Sequence, residues 1–153
     1  MDDSVLDAVG AAFSRLRRRT ALLDVDPPVT RKDKSREQVI NLVDEADGEM
    51  TVGGVAEQLS VDPSVASRMV TDCIDAGYLV RRASQRDGRR TVLELTEDGV
   101  RLRDRFRGQH RQAFVKITHD WPERKRLEFA RLLVEYADAA VALTTRRGER
   151  SGE

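Results

Sequence analysis

Apolar residues recur at helical spacing near both ends of the chain. They are separated by three or four positions between residues 4 and 23, and the same spacing returns toward the C terminus. This pattern predicts amphipathic helices, each with a narrow apolar face that requires a partner helix. We predict helical arms over 4–23 and 100–145 and a polar tail over 146–153. Their dimerisation residues would be Leu6, Val9, Phe13, Leu16, Val134, Ala137 and Val141.

The middle of the chain carries the signals of three shorter helices. Ser35-x-x-Gln38 matches a capping box in front of an apolar run and predicts a helix from residue 35. Thr51 is a suitable N-cap for a second helix. Asp62-Pro63 starts a third, which Gly77 ends. Two short helices joined this closely predict a helix-turn-helix.

Beyond Gly77 the apolar spacing changes from the helical period to alternation. Residues 79–82 and 91–95 therefore read as two strands. Asp87-Gly88 between them predicts a two-residue hairpin turn, because glycine tolerates the positive φ that tight turns require. Thr96 would then cap a long helix.

These elements predict a fold that is mainly α with a small β-hairpin (α+β). Residues 35–99 would form a winged helix-turn-helix, flanked by N- and C-terminal dimerisation helices. At 153 residues, the whole chain (1–153) is expected to be a single domain.

Composition narrows the classes of function. A single cysteine, Cys73, excludes an intramolecular disulfide framework and any CxxC metal site. No run approaches the roughly 18 apolar residues of a membrane span. We expect a cytoplasmic protein with no membrane partner, no cofactor and no metal.

Charge is balanced overall but uneven along the chain. The 27 basic and 27 acidic residues give a net charge of zero. Residues 37–79 carry a net charge of −8, whereas residues 80–119 carry +6. A neutral total is therefore compatible with a basic surface that binds nucleic acid.

Three segments in fixed order carry a resemblance to a known family. They are Leu59-Ser-Val-Asp62-Pro-Ser-Val-Ala-Ser67-Arg68-Met69-Val70, Gly77-Tyr-Leu-Val-Arg81, and Asp87-Gly-Arg89 followed by Leu95-Thr96-Glu-Asp-Gly99. Over residues 51–99 the sequence resembles the MarR (multiple-antibiotic-resistance regulator) family. The resemblance implies a sequence-specific transcriptional regulator of double-stranded DNA, most often a homodimeric repressor of a pseudo-palindromic operator. It also implies a small aromatic or phenolic effector, whose pocket the sequence leaves unknown.

The third short helix has a polar stripe opposite its apolar face. Ser64, Ser67, Arg68 and Thr71 lie at i, i+3, i+4 and i+7 and form a short polar surface suited to a major groove. A guanidinium can contact guanine N7 and O6, whereas hydroxyls reach phosphates or base edges. Asp72 departs from this pattern, because an acid near phosphate is repulsive. It can instead pair with a nearby arginine such as Arg68, four residues earlier.

The hairpin tip is rich in arginine. Arg86, Arg89 and Arg90 surround Asp87, a composition suited to the negative potential of a narrow minor groove. The MarR resemblance implies that Arg89 enters the groove and that Asp87 orients it through a salt bridge.

Other classes of function find less support. His110 and His119 are nine residues apart and cannot chelate as a helical pair, and no nucleophile or phosphate-loop motif is present. We therefore expect no enzyme. Phe13, Phe114 and Trp121 are interpreted as packing residues rather than a ligand box. Two alternatives stay open: the arms pack on each other within one chain, or the winged helix binds a protein rather than DNA.

Overall fold

Residues 3–19 and 30–151 are described by a computed structural model. The elements are α1 (Asp3–Arg19), α2 (Arg31–Glu45), α3 (Val52–Leu59), α4 (Pro63–Asp75), β1 (Leu79–Ala83), β2 (Thr91–Leu95), α5 (Glu97–Ile117) and α6 (Glu123–Ser151). The predicted fold class, mainly helical with one hairpin, is confirmed. Residues 20–23, the predicted end of the first helix, lie outside the described residues. None of the described helices is long and apolar enough to cross a membrane.

The chain forms two compact units, Met1–Ala113 and Phe114–Glu153. The first contains the helix-turn-helix, the hairpin and most of α5. The second contains α6 and the segment that leads into it.

The start of α2 differs from the sequence prediction. The helix begins at Arg31, so that Ser35 lies inside it and does not cap it. The Thr30 hydroxyl accepts the Asp33 backbone N–H at 3.0 Å, and the Asp33 carboxylate accepts the Thr30 N–H at 3.0 Å. This reciprocal pair satisfies two free donors of the first turn. The capping box at residue 30 therefore decides where α2 starts.

The helix-turn-helix is formed by α3 and α4 as predicted. The Thr51 hydroxyl accepts the Gly54 N–H at 3.0 Å and caps α3. Pro63 occupies the first turn of α4, although the Asp62 side chain makes no capping hydrogen bond. Gly77 ends the helix region with a φ of 79°, which a side chain would disfavour.

The hairpin is confirmed, but its turn is not the predicted one. Leu79 pairs with Leu95 and Ala83 with Thr91 in an antiparallel register. The strands are joined by the seven-residue loop 84–90 and not by two residues. Gly88 does not adopt a positive φ there, because a longer loop does not need one. We call residues 84–90 the wing loop.

The core of the first unit lies where α2, α3, α4 and the hairpin meet. Its buried residues come from every one of these elements: Val39, Val55, Ala56, Ala66, Val70, Cys73, Leu79 and Leu93. A smaller cluster of Ile40, Leu102 and Phe106 joins α2 to α5. This packing fixes α4 against the hairpin.

The junction of the hairpin and α5 is tightly built. The Thr96 hydroxyl accepts the Gly99 N–H at 3.0 Å and donates to the Gly77 carbonyl at 2.6 Å. A Cβ at Gly99 would lie 2.1 Å from the Tyr78 carbonyl oxygen, well inside contact distance. In the Leu95-Thr96-x-x-Gly99 segment, Thr96 therefore caps the start of α5, and Gly99 allows the helix backbone to approach the Tyr78 carbonyl closely.

Charged side chains join α2 to α5. Arg103 and Arg107 both pair with Asp44, the latter at 2.7 Å. His110 Nε2 lies 2.8 Å from a Glu37 carboxylate oxygen. The −8 and +6 segments thus neutralise each other in part within the first unit.

In the second unit, α6 continues to Ser151, beyond the predicted helix end at residue 145. Residues 146–151 are mostly arginine and glutamate, which are good helix formers.

Aromatic rings pack together in the second unit. The Phe129 ring stacks on Phe114 at 6.2 Å and meets Trp121 edge-on at 5.4 Å. The expected packing role of Phe114 and Trp121 is therefore seen, whereas Phe13 is exposed.

Two helices of the predicted arms, α1 and α6, present their apolar residues to solvent in the single chain, whereas α5 buries Leu102 and Phe106 against α2. No side chain described in α1 (residues 3–16) or in α6 (residues 123–143) is buried. Leu6 is 47% exposed and Val134 is 60% exposed. The other predicted dimerisation residues, Val9, Phe13, Leu16, Ala137 and Val141, are exposed as well.

Candidate nucleic-acid interface

The polar face of α4 is available for contact. Ser64, Arg68 and Thr71 are exposed and Ser67 is partly exposed, whereas Ala66, Val70 and Cys73 on the opposite face are fully buried. The Arg68 Nε donates to the Ser64 carbonyl at 3.3 Å, so that the guanidinium lies along its own helix. The sequence-predicted contact residues share one accessible surface.

Asp72 has a different partner from the one considered in the sequence. It pairs with Arg36 of α2 at 2.7 Å and with Lys32 at 2.8 Å, and not with Arg68. The hydrogen bond from Lys32 lowers the pKa of the Asp72 carboxyl, burial partly offsets this, and Arg36 lowers it further. Arg36 also lies over the Tyr78 ring at 5.3 Å. Two cations therefore neutralise the acid and leave Arg68 free of it.

The hairpin adjoins the polar face of α4. Thr71 of α4 and Arg81 of β1 line the same surface groove. Arg82 lies 3.7 Å from Glu94 on the neighbouring strand, so part of its charge is balanced locally. A hydroxyl of α4 and basic side chains of β1 thus belong to one continuous surface.

The wing loop exposes every one of its predicted contact residues: Arg86, Asp87, Arg89 and Arg90. The Asp87 carboxylate accepts the Arg89 backbone N–H at 3.1 Å. Within the described part of the chain, Asp87 makes no ion pair with the Arg89 guanidinium, which points to backbone ordering and not to the salt bridge that the resemblance implies.

Glu49 is a residue of this surface that sequence reasoning missed. It lies between α2 and α3, and its carboxylate accepts the Ser84 hydroxyl at 2.6 Å and the Gln85 N–H at 2.8 Å. These partners are 35 and 36 residues away in sequence. No local pattern identifies such a contact.

Cys73 fits a structural role. Burial raises the pKa of the Cys73 thiol to about 11, and the Asp72 carboxylate adds to the increase. A thiol of this kind is a poor nucleophile at neutral pH. Over residues 3–19 and 30–151, no group of three His, Cys, Asp or Glu side chains could hold a metal ion.

Similarity to known proteins agrees with this geometry. Residues 38–90 match the family model of the MarR family. A MarR transcriptional regulator from Methanosarcina mazei Go1 is 18% identical with a TM-score of 0.67, over 90% of this chain and 99% of that one. Among curated proteins, none matches the sequence.

Two similar structures contain ligands. The PcaV transcriptional regulator from Streptomyces coelicolor, in complex with its natural ligand, is 24% identical with a TM-score of 0.57, over 86% of this chain and 93% of that one. MepR from S. aureus, bound to ethidium bromide, is 14% identical with a TM-score of 0.53, over 92% and 96% of the two chains. The predicted winged-helix fold is confirmed, and so is the resemblance to the MarR family, which was predicted over residues 51–99 and which the family model matches over residues 38–90.

Proposed function

We propose that this chain, whose residues 38–90 match the MarR family, is a sequence-specific DNA-binding transcriptional regulator. It would act as a homodimeric repressor of a pseudo-palindromic operator in the cytoplasm. The observation that carries the proposal is the surface groove shared by Thr71 on the polar face of α4 and Arg81 of β1, the strand that leads into the exposed, arginine-rich wing loop. One side suits a major groove about 12 Å wide, and the other suits the adjacent minor groove.

Each part of this surface has a distinct role in the proposal. Ser64, Ser67, Arg68 and Thr71 would contact base edges and phosphates in the major groove. Arg89 would enter the minor groove, with Arg86 and Arg90 along the phosphate backbone. Pairing of Asp72 with Lys32 and Arg36 supports this arrangement, because it removes an uncompensated negative charge from α4.

Exposed apolar residues on the arms support a homodimer. Leu6 and Val9 of α1 and Val134 of α6 remain accessible in the single chain, although apolar seams of this kind normally pack on a partner. A second copy would cover them with the same residues in a two-fold arrangement. Two α4 helices would then reach half-sites about 34 Å apart, one turn of DNA.

A small aromatic or phenolic effector is the regulatory part of the proposal. PcaV was solved with its natural ligand and MepR with ethidium bromide, which supports a ligand here. An effector would release DNA if it preferred a spacing of the two α4 helices that differs from the DNA-bound spacing.

Binding to the DNA upstream of the protein's own gene tests the function. We expect sequence-specific binding whose affinity falls steeply between low and high salt, because arginine–phosphate contacts release counterions. Absence of specific binding at low salt would contradict the regulator and favour a protein-interaction module.

Substitution of Arg68 tests the major-groove assignment. Arg68→Ala should cost about 1–3 kcal/mol at one base pair and relax selectivity at that position. Fluorescence anisotropy with a set of single-base variants of the duplex measures both effects. Arg111→Ala, which removes the same charge from an exposed position of α5, is the matched control. Unchanged base preference in Arg68→Ala would refute the assignment.

A further inference from the structure

We propose that Glu49 is a positioning residue for the wing loop: it holds the start of the loop so that Arg89 is presented to DNA, without contacting DNA itself. This role rests on the proposed function, because it is a role within DNA binding. Its basis is a cluster of hydrogen bonds between the α2–α3 connection and the first residues of the wing loop.

Ser84 is the centre of this cluster. It follows β1 directly and is 5% exposed. Its hydroxyl donates to Glu49 and accepts the backbone N–H groups of Arg86 at 3.1 Å and Asp87 at 2.9 Å. One buried oxygen therefore orders the backbone up to Asp87. Because a buried hydroxyl needs an acceptor for its proton, this order depends on Glu49.

Glu49 uses both carboxylate oxygens for this contact. Oε2 accepts the Ser84 hydroxyl and Oε1 accepts the Gln85 N–H. The hydrogen bond from Ser84 lowers the pKa of Glu49, burial opposes the change, and the Gln85 N–H lowers it further. The group therefore stays ionised at neutral pH, and charge-assisted hydrogen bonds of this kind are among the stronger ones.

The short α2–α3 connection that carries Glu49 also contacts β2, the start of α3 and Arg86. The Met50 carbonyl accepts the Leu93 N–H of β2 at 2.8 Å, and Thr51 caps α3. At Gly48, a Cβ would lie 3.7 Å from the Arg86 guanidinium, which rests against this segment. Residues 48–51 thus link the wing loop, the second strand and the helix-turn-helix.

The proposed role predicts that removing the Glu49 charge changes DNA affinity in the opposite direction to that expected from charge repulsion alone. An acid close to DNA repels phosphates, so that removing its charge normally tightens binding. If Glu49 orders the wing loop, then Glu49→Gln weakens binding even though a negative charge is lost. Glutamine keeps one acceptor oxygen and replaces the other with an NH2 donor, so that whichever way the amide turns, either the Ser84 hydroxyl or the Gln85 N–H loses its acceptor.

The experiment compares variants on a defined probe. The probe is the duplex that the wild-type protein enriches from a random-sequence pool, made with A·T-rich and with G·C-rich flanks. We expect Glu49→Gln to bind the A·T-flanked duplex about tenfold more weakly, with a smaller loss on G·C flanks. Glu45→Gln, an equal charge change at the exposed last residue of α2, should bind as well as the wild type or slightly better.

A double-mutant cycle separates positioning from a general loss of structure. Added to Arg89→Ala, Glu49→Gln should have little further effect, because the residue that it positions is gone. Added to Arg68→Ala, it should retain its full tenfold effect. A globally destabilised protein would lose affinity equally on both backgrounds. Ser84→Ala, which removes the other half of the contact, should reproduce the flank-dependent loss.

Three results would overturn the proposal. Unchanged or tighter binding by Glu49→Gln, on a duplex that Arg89→Ala binds weakly, would refute the positioning role alone. An equal loss on the Arg68→Ala and Arg89→Ala backgrounds would do the same. A wild-type protein that enriches no sequence would contradict the proposed function and, with it, the role of Glu49.

Discussion

Apolar side chains are buried in one region of the chain and exposed in another. The first region is the reading head (residues 30–99), and the second is the arms (α1 and α6). Eight apolar residues of the head are buried against one another within the single chain. By contrast, no described side chain of α1 or α6 is buried, although both helices carry regular apolar seams. The head therefore has a core of its own, whereas the apolar residues described in the arms stay accessible in the single chain.

This difference predicts which property a substitution changes in each region. Changes in the head should alter the stability of one chain, whereas changes on the arm seams should alter assembly and leave the head folded. Under the proposed homodimer, DNA affinity would respond to both, because two heads would engage two half-sites together.

The largest expected effect is on the arms. Val134→Asp would place an unpaired carboxylate in the proposed dimer interface, at a cost of about 3–5 kcal/mol. Sedimentation equilibrium should show monomers, and DNA affinity should fall by at least about 100-fold. Helix content by circular dichroism should be preserved. Glu135→Ala, at an exposed neighbouring position, is expected to remain dimeric. A Val134→Asp dimer of normal affinity would contradict a place for Val134 in the dimer interface.

A somewhat smaller effect is expected in the head. Gly99→Ala should lower the free energy of unfolding by about 3 kcal/mol, because its methyl group would overlap the Tyr78 carbonyl oxygen. Urea denaturation measures the change. Gly108→Ala in the same helix is the matched control, since a Cβ there meets no atom within 4 Å. That variant should gain up to about 1 kcal/mol from helix propensity. Equal effects at both positions would refute a steric role for Gly99.

The smallest effect concerns the charged contact between α2 and α5. The hydrogen bond to Glu37 raises the pKa of His110, so the pair stabilises the folded state fully below the ordinary histidine pKa, and this contribution is lost as pH rises through the raised value. Because His110 is 72% exposed, we expect less than about 1 kcal/mol. His110→Gln should therefore cost more stability at pH 5.5 than at pH 8.5 in urea denaturation. In a Glu37→Gln background this pH dependence should vanish; its persistence would point to another partner.

Local signals explain what the sequence predicted well. Pro63 and Gly77 act on the backbone at their own positions, so both ends of α4 could be read directly. Alternation of apolar residues gave both strands to within one residue. The α4 contact face follows from the same periodicity, because a buried stripe determines which residues lie opposite.

Contacts between distant segments explain what was missed. Residues 30–33 and 35–38 offer competing capping boxes, and only the folded chain shows that the first is used. The partners of Asp72 lie in α2, 36 residues away for Arg36, so a search within α4 suggested Arg68 wrongly. Glu49 had no signal at all, since an isolated acid in a connection is ordinary until Ser84 is placed beside it.

The connection at residues 48–51 also determines which residues must be moved together when the wing loop is grafted onto another protein. An engineer who moves only residues 84–90 to another winged helix leaves Ser84 without its acceptor and the loop without its anchor. The portable unit is discontinuous in sequence and comprises residues 48–51 together with 79–95. If Glu49 positions the wing loop as proposed, exchange of the wing's contribution to DNA preference would require both segments to be grafted together.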